Sequence, residues 1–140
     1  MKAHVLDAHA LIAYLEREPG FETVAELFTQ AADHDTPLLM TSVNMGEVLY
    51  MARRECGPEQ VEVVERTVAE LPVEVVHVDM PLARRAAELK ATRRMSYADC
   101  FAAALADRSG GPVVTGDPEF KSVEKDVKVV WLKPSGPQRA

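Results

Sequence analysis

Residues 3–18 read AHVLDAHALIAYLERE, and their reading decides the fold. AHVLD is a short apolar run closed by one acid, which predicts a buried strand over residues 3–7. From Ala8 the period changes. Leu11, Ile12 and Leu15 lie one, three and four residues apart, which predicts a helix over residues 8–18. Pro19-Gly20 stops it.

The same alternation continues along the chain. Residues 21–32 form a second helix, with Val24, Leu27 and Phe28 on one face, and residues 37–41 (PLLMT) form a second strand. Ser42 is placed to cap a helix running to about residue 55, closed by Gly57-Pro58. Residues 59–71 carry a valine and leucine stripe, and residues 73–78 are a valine-rich third strand. Asp79 caps a helix over residues 81–93, and Ser96 caps another to about residue 107, ended by Gly110-Gly111. Residues 112–115 (PVVT) are strand four, a helical turn follows Pro118, and residues 127–132 (VKVVWL) are strand five. Five strands alternating with helices predict an α/β fold. It is a three-layer α/β/α sandwich around a mainly parallel five-stranded sheet. Helices outnumber strands, so some connections carry two.

Composition bounds the class. The 140 residues suit one domain, assigned to residues 1–132, with residues 133–140 (KPSGPQRA) read as a flexible tail. With 47% apolar and 27% charged residues, the balance is that of a globular protein. No apolar run is long enough to span a bilayer, and the N-terminus lacks the features of a signal peptide. A cytoplasmic location is expected. Cys56 and Cys100 form no metal or redox spacing and read as free thiols. A net charge of −6 argues against an extended nucleic-acid surface. Basic residues do cluster at Arg53-Arg54 and between Arg84 and Arg94, either as solvated helix faces or as guides for an anion.

Four acids sit where a core-building sequence would avoid them. Asp7 ends the first strand and Asp117 follows the fourth, in VVTGDPEF. If those strands are parallel neighbours, both carboxylates emerge at one sheet edge, where open parallel sheets bind ligands. Each acid alone has a local explanation, Asp7 as a helix cap and Asp117-Pro118 as a turn. Glu47 has Val43, Asn44, Tyr50 and Met51 as its helical neighbours, which places it on or beside an apolar face. Asp99 is the only charge between Arg94 and Asp107, and Ser96-x-x-Asp99 has the spacing of a capping box. A cap for Asp7 and Asp99, a turn for Asp117 and the solvent edge of an apolar stripe for Glu47 account for each acid singly, and not for four isolated acids at the sheet's carboxyl edge or near a helix start beside it.

Clustered carboxylates need a compensating charge, and hard oxygen donors suit Mg²⁺ or Mn²⁺. Such an ion can activate water against a phosphodiester. No His or Cys cluster points to zinc, and no glycine-rich phosphate loop or Gly-x-Ser-x-Gly elbow is present. His4 and His9 flank Asp7 and read as structural.

At these residues the sequence resembles a PIN domain, and specifically the VapC toxins of bacterial toxin–antitoxin pairs. The pieces are VLDAHALIAYL around Asp7, TSVNMGEVLY around Glu47, SYADCFAAALA around Asp99 and VVTGDPEF around Asp117. The resemblance runs from Ala3 to about Leu132. It implies an endoribonuclease using Mg²⁺ or Mn²⁺. Asp7 and Asp99 match the principal metal ligands, while Glu47 and Asp117 match the acids that bind a second ion or its water. Thr115 matches the small hydroxyl residue before the last acid. One position departs, since the family usually has Ser, Thr or Asn where this chain has His9. The resemblance further implies an RNA substrate, a homodimer and a cognate antitoxin. Two other readings stand beside it. One is an RNA-processing or DNA-acting nuclease of the same fold. The other is a Mg²⁺-binding receiver-like signalling module, which would favour paired acids at the first strand and a lysine at the last.

Overall fold

The computed structural model describes residues 2–132. The residues assigned to the tail lie outside that range. The elements follow in the order β1 (Val5–Leu6), α1 (Ala8–Leu15), α2 (Phe21–His34), β2 (Leu38–Thr41), α3 (Ser42–Cys56) and α4 (Pro58–Ala69). They continue with β3 (Val73–Val76), α5 (Met80–Thr92), α6 (Tyr97–Ser109), β4 (Val113–Thr115), a 3-10 helix (Pro118–Val123) and β5 (Val129–Trp131). The strands form one all-parallel sheet in the order β3-β2-β1-β4-β5.

Strand side chains alternate between faces, and the two central strands show what that builds. Val5 and Val113 join the core beneath α5 and α6, with Leu82, Leu89, Phe101 and Leu105. Leu6 and Val114 join the opposite core with Leu11, Val24, Phe28 and Val64 of α1, α2 and α4. The sheet is therefore the middle layer of three, as the alternation predicts. Val5 and Leu6 are both fully buried, so β1 needs only two residues to serve both cores.

The structure shifts several boundaries and corrects one cap. Thr41, not Ser42, caps α3. Its extended backbone sets Oγ1 to accept the Asn44 N–H at 3.0 Å. Ser42 is the first helical residue, and its Oγ accepts the Val78 N–H at 3.3 Å. Asp79 and Ser96 cap α5 and α6 as expected. Helix α6 is apolar on nearly all sides, from Cys100 to Ala106, and is accordingly buried on nearly all sides. Its first turn carries Asp99 inward with the rest.

Candidate active site

Strand order reverses between β1 and β4, the neighbours at the centre of the sheet. Their carboxyl ends open the crevice that such a reversal creates. Asp7 follows β1 and is 1% exposed. Its Oδ1 accepts the Ala10 N–H at 2.8 Å, so it does cap α1. Its Oδ2 accepts a hydrogen bond from the hydroxyl of Thr115, the last residue of β4. The same hydroxyl accepts the Asp117 N–H at 2.9 Å, which fixes the turn that carries the second acid.

Asp99 arrives from a different layer. It sits in the first turn of α6 at 7% exposure. Glu47 projects from α3, and the start of that helix is anchored to α6 by Asn44. This asparagine is fully buried, and its Nδ2 donates to the Ala98 carbonyl at 3.0 Å. Its Oδ1 is held by the Thr41 hydroxyl.

All four acids line one open cleft of about 690 Å³ of empty space. Glu16, Glu18 and Glu55 also line it, together with His9 and Met51, and among the described residues no Lys or Arg does. Glu47 Oε1 is buried there without a hydrogen-bond partner. His9 is exposed and lies against Gly116, where an added Cβ would come within 2.5 Å of its ring. No hydrogen bond joins His9 to the four acids among the described residues.

The electrostatics follow from crowding and burial. Burial pushes the Asp7 carboxyl up to about 7. The Thr115 and Ala10 hydrogen bonds oppose this, while Asp117 and Glu47 add to it. Burial, then the neighbouring Asp117 and Asp7, push Asp99 up to about 9. Glu47 is raised by burial and Asp117, with Asn44 pulling the other way. The set is hard, oxygen-only and short of positive charge, and it leaves one buried oxygen without a donor. Those properties fit a divalent cation such as Mg²⁺ or Mn²⁺.

Two residues that matter here escaped sequence reasoning. Asn44 was visible only as a polar residue on an apolar helix face. Glu119 lies in the 3-10 helix, and its carboxylate stands within 4.8 Å of donor oxygens of Asp99 and Asp117. Its position two residues beyond Asp117 was the one available signal. The basic clusters, in turn, are largely committed within the chain. Arg85 pairs with Asp107 at 3.0 Å, Arg93 with Asp126 at 2.9 Å, and Lys90 donates to the Met95 carbonyl.

An all-parallel α/β/α sandwich with acids gathered at its topological switch point defines the class of protein. The profile of the PIN domain family matches residues 4–126, and the chain belongs to that family. No curated protein matches it by sequence. Among solved structures, a chain of the DNA-bound VapBC from Salmonella typhimurium superposes with a TM-score of 0.73 at 26% identity, covering 94% of this chain and 99% of that one. VapBC2 from Rickettsia felis, bound to a promoter DNA fragment, gives 0.74 at 14% identity over 91% and 97%. Mycobacterium tuberculosis VapC20, a sarcin–ricin loop cleaving toxin, gives 0.69 at 18% identity over 94% and 100%. Membership in this family displaces the signalling-module alternative. No helix among the described residues is long and apolar enough to cross a membrane.

Proposed function

We propose that this chain is a divalent-metal-dependent endoribonuclease and the toxin of a type II toxin–antitoxin pair. The observation that carries the reading is the buried Glu47 Oε1, without a hydrogen-bond partner among the described residues, in a cleft where Asp7, Asp99 and Asp117 converge and which no Lys or Arg of the described residues lines. Were capping their whole purpose, these carboxylates would be spent on local backbone donors. Instead, Asp7 caps with one oxygen and keeps the other on Thr115, and Asp99 gives no oxygen to its own cap.

Asp7, Asp99, Glu47 and Asp117 would hold the ion. When bound, it supplies charge neutralisation for the phosphodiester and a water acidified enough to attack it. The chain's own groups do the rest. Thr115 orients Asp7, and Asn44 sets the α3 turn bearing Glu47 against the α6 turn bearing Asp99. The anionic cleft repels a nucleic-acid backbone until cations bind, which makes cleavage strictly metal-dependent. RNA is the proposed substrate, supported by the family and by the likeness to a sarcin–ricin loop cleaving toxin. An antitoxin partner is supported by likeness to VapBC structures, and a homodimer is expected with it.

The test is cleavage of a structured RNA by the purified chain, freed of any partner. Cutting with Mg²⁺ or Mn²⁺ and silence in EDTA are expected. Metal-independent cutting, or none with either ion, overturns the reading.

A further inference from the structure

Ser96 and Asp99 stand at the N-cap and third helical position of α6, the spacing of a capping box. In such a box the cap side chain accepts the third residue's N–H, and the third residue's side chain returns to the cap's N–H. Only the first half forms here, with the Asp99 N–H donating to Ser96 Oγ at 3.2 Å. The other half is taken by a residue from elsewhere. Glu119 Oε1 accepts the Ser96 N–H at 2.9 Å, across 23 residues of chain. Glu119 is itself tied to the Asp117 turn, since its own N–H donates to Asp117 Oδ1 at 2.9 Å.

The exchange has a geometric consequence. An Asp99 carboxylate that closed its own box would be bent back onto Ser96 and committed to a backbone donor. With Glu119 in that role, Asp99 instead faces Asp117, their donor oxygens lying within 4.8 Å. A continuous path of hydrogen bonds then joins the three segments that bear Asp7, Asp117 and Asp99. It runs from Asp7 through Thr115 to the Asp117 N–H, from Asp117 through Glu119 to Ser96, and from Ser96 to the Asp99 N–H.

We infer that Glu119 is a positioning residue, which stands in for Asp99 at the α6 cap and so leaves Asp99 free to hold the cation. This rests on the metal-dependent reading above. A direct ligand role for Glu119 makes the opposite prediction for one substitution. Gln presents the same carbonyl-type acceptor to Ser96 but lacks the charge that a ligand brings.

The experiment is Mn²⁺ binding, followed by the electron paramagnetic resonance signal of the free ion, on wild type, Glu119→Gln and Glu119→Ala, with thermal unfolding of each in EDTA. Glu119→Gln should bind almost as tightly as wild type. Glu119→Ala should lose about 10- to 100-fold in affinity, the range for groups that orient a ligand. If Glu119→Ala does not fold, Glu119→Met, similar in length and without a carbonyl acceptor, takes its place. Equal binding by wild type and the Ala variant overturns the inference alone. So does a Gln variant as weak as Ala, which would make Glu119 a ligand. A wild-type protein that binds no Mn²⁺ overturns the metal reading and the inference together.

Discussion

Thr115 donates its hydroxyl hydrogen to Asp7, linking the end of β4 to the carboxylate that follows β1. The residues are 108 positions apart, and both are buried. Because the same oxygen accepts the Asp117 N–H, one hydroxyl orients two acids. Thr115→Val keeps the shape and removes both bonds. It should cost about 1–3 kcal/mol, since a buried acceptor and a backbone donor lose their partner. It should also raise the Asp7 pKa further, because the Thr115 bond lowers it. Urea unfolding measures the first effect and the pH dependence of Mn²⁺ affinity the second. Unchanged stability would contradict the bridging role.

Metal-free protein should lose stability as pH rises. Asp7 and Asp99 are raised to about 7 and about 9, from an ordinary value of 3.8. Between those limits the folded state binds more protons than the unfolded state, so stability falls with increasing pH. The contribution is full below the ordinary carboxylate value and is gone once pH passes about 7 for Asp7 and about 9 for Asp99. The loss from Asp7 alone is on the order of a few kcal/mol, the size of its shift. Saturating Mg²⁺ or Mn²⁺ should reverse the trend, because the ion binds the deprotonated carboxylates. Melting curves from acid to mildly alkaline pH, with EDTA and with metal, check both slopes.

Asp7→Asn and Asp99→Asn should each abolish RNA cleavage while the chain remains folded. Without metal in mildly alkaline buffer, each variant should melt above wild type, because the amide neither buries a charge, as Asp7 does, nor takes up a proton on folding, as Asp99 does. In Asp7→Asn the side-chain amide still offers a carbonyl oxygen to the Ala10 N–H, so the α1 cap is kept. Cleavage assays and melting curves on the same preparations separate the two effects. Full activity in either variant would remove that acid from the site.

Gly111→Ala should be severely destabilising. An added Cβ would fall 1.8 Å from the Ala3 carbonyl oxygen, and backbone cannot yield as a flexible side chain can. This close approach precedes the β1–β4 pairing, where the Val5 N–H donates to the Pro112 carbonyl at 2.8 Å. A loss above about 3 kcal/mol is expected, in the range reserved for steric conflict and overpacking. Denaturant unfolding of the variant measures it.

Much of this was legible in the chain itself. The five strands, the caps at Asp79 and Ser96 and the helix stop at Gly110-Gly111 follow from signals spanning a few residues. Helix α1, by contrast, ends at Leu15, short of the Pro19-Gly20 stop, because the chain turns at Glu16 and Arg17, the latter with a left-handed backbone. Asp7 and Asp117 declared themselves as acids ending buried strands. The Ser42 cap was misplaced by one residue, because Thr41 and Ser42 offer the same hydroxyl and only the backbone angles of the strand's end distinguish them.

Local sequence determined the elements and their apolar faces, because helical period, strand alternation and capping act between near neighbours. Tertiary structure alone decided which strands lie side by side, and with them the meeting of the acids. It also decided that Asn44 joins Ala98 across 54 residues and that Glu119 replaces Asp99 at Ser96. Bonds of that reach depend on how the whole chain buries its apolar surface, and no short window of sequence carries that information.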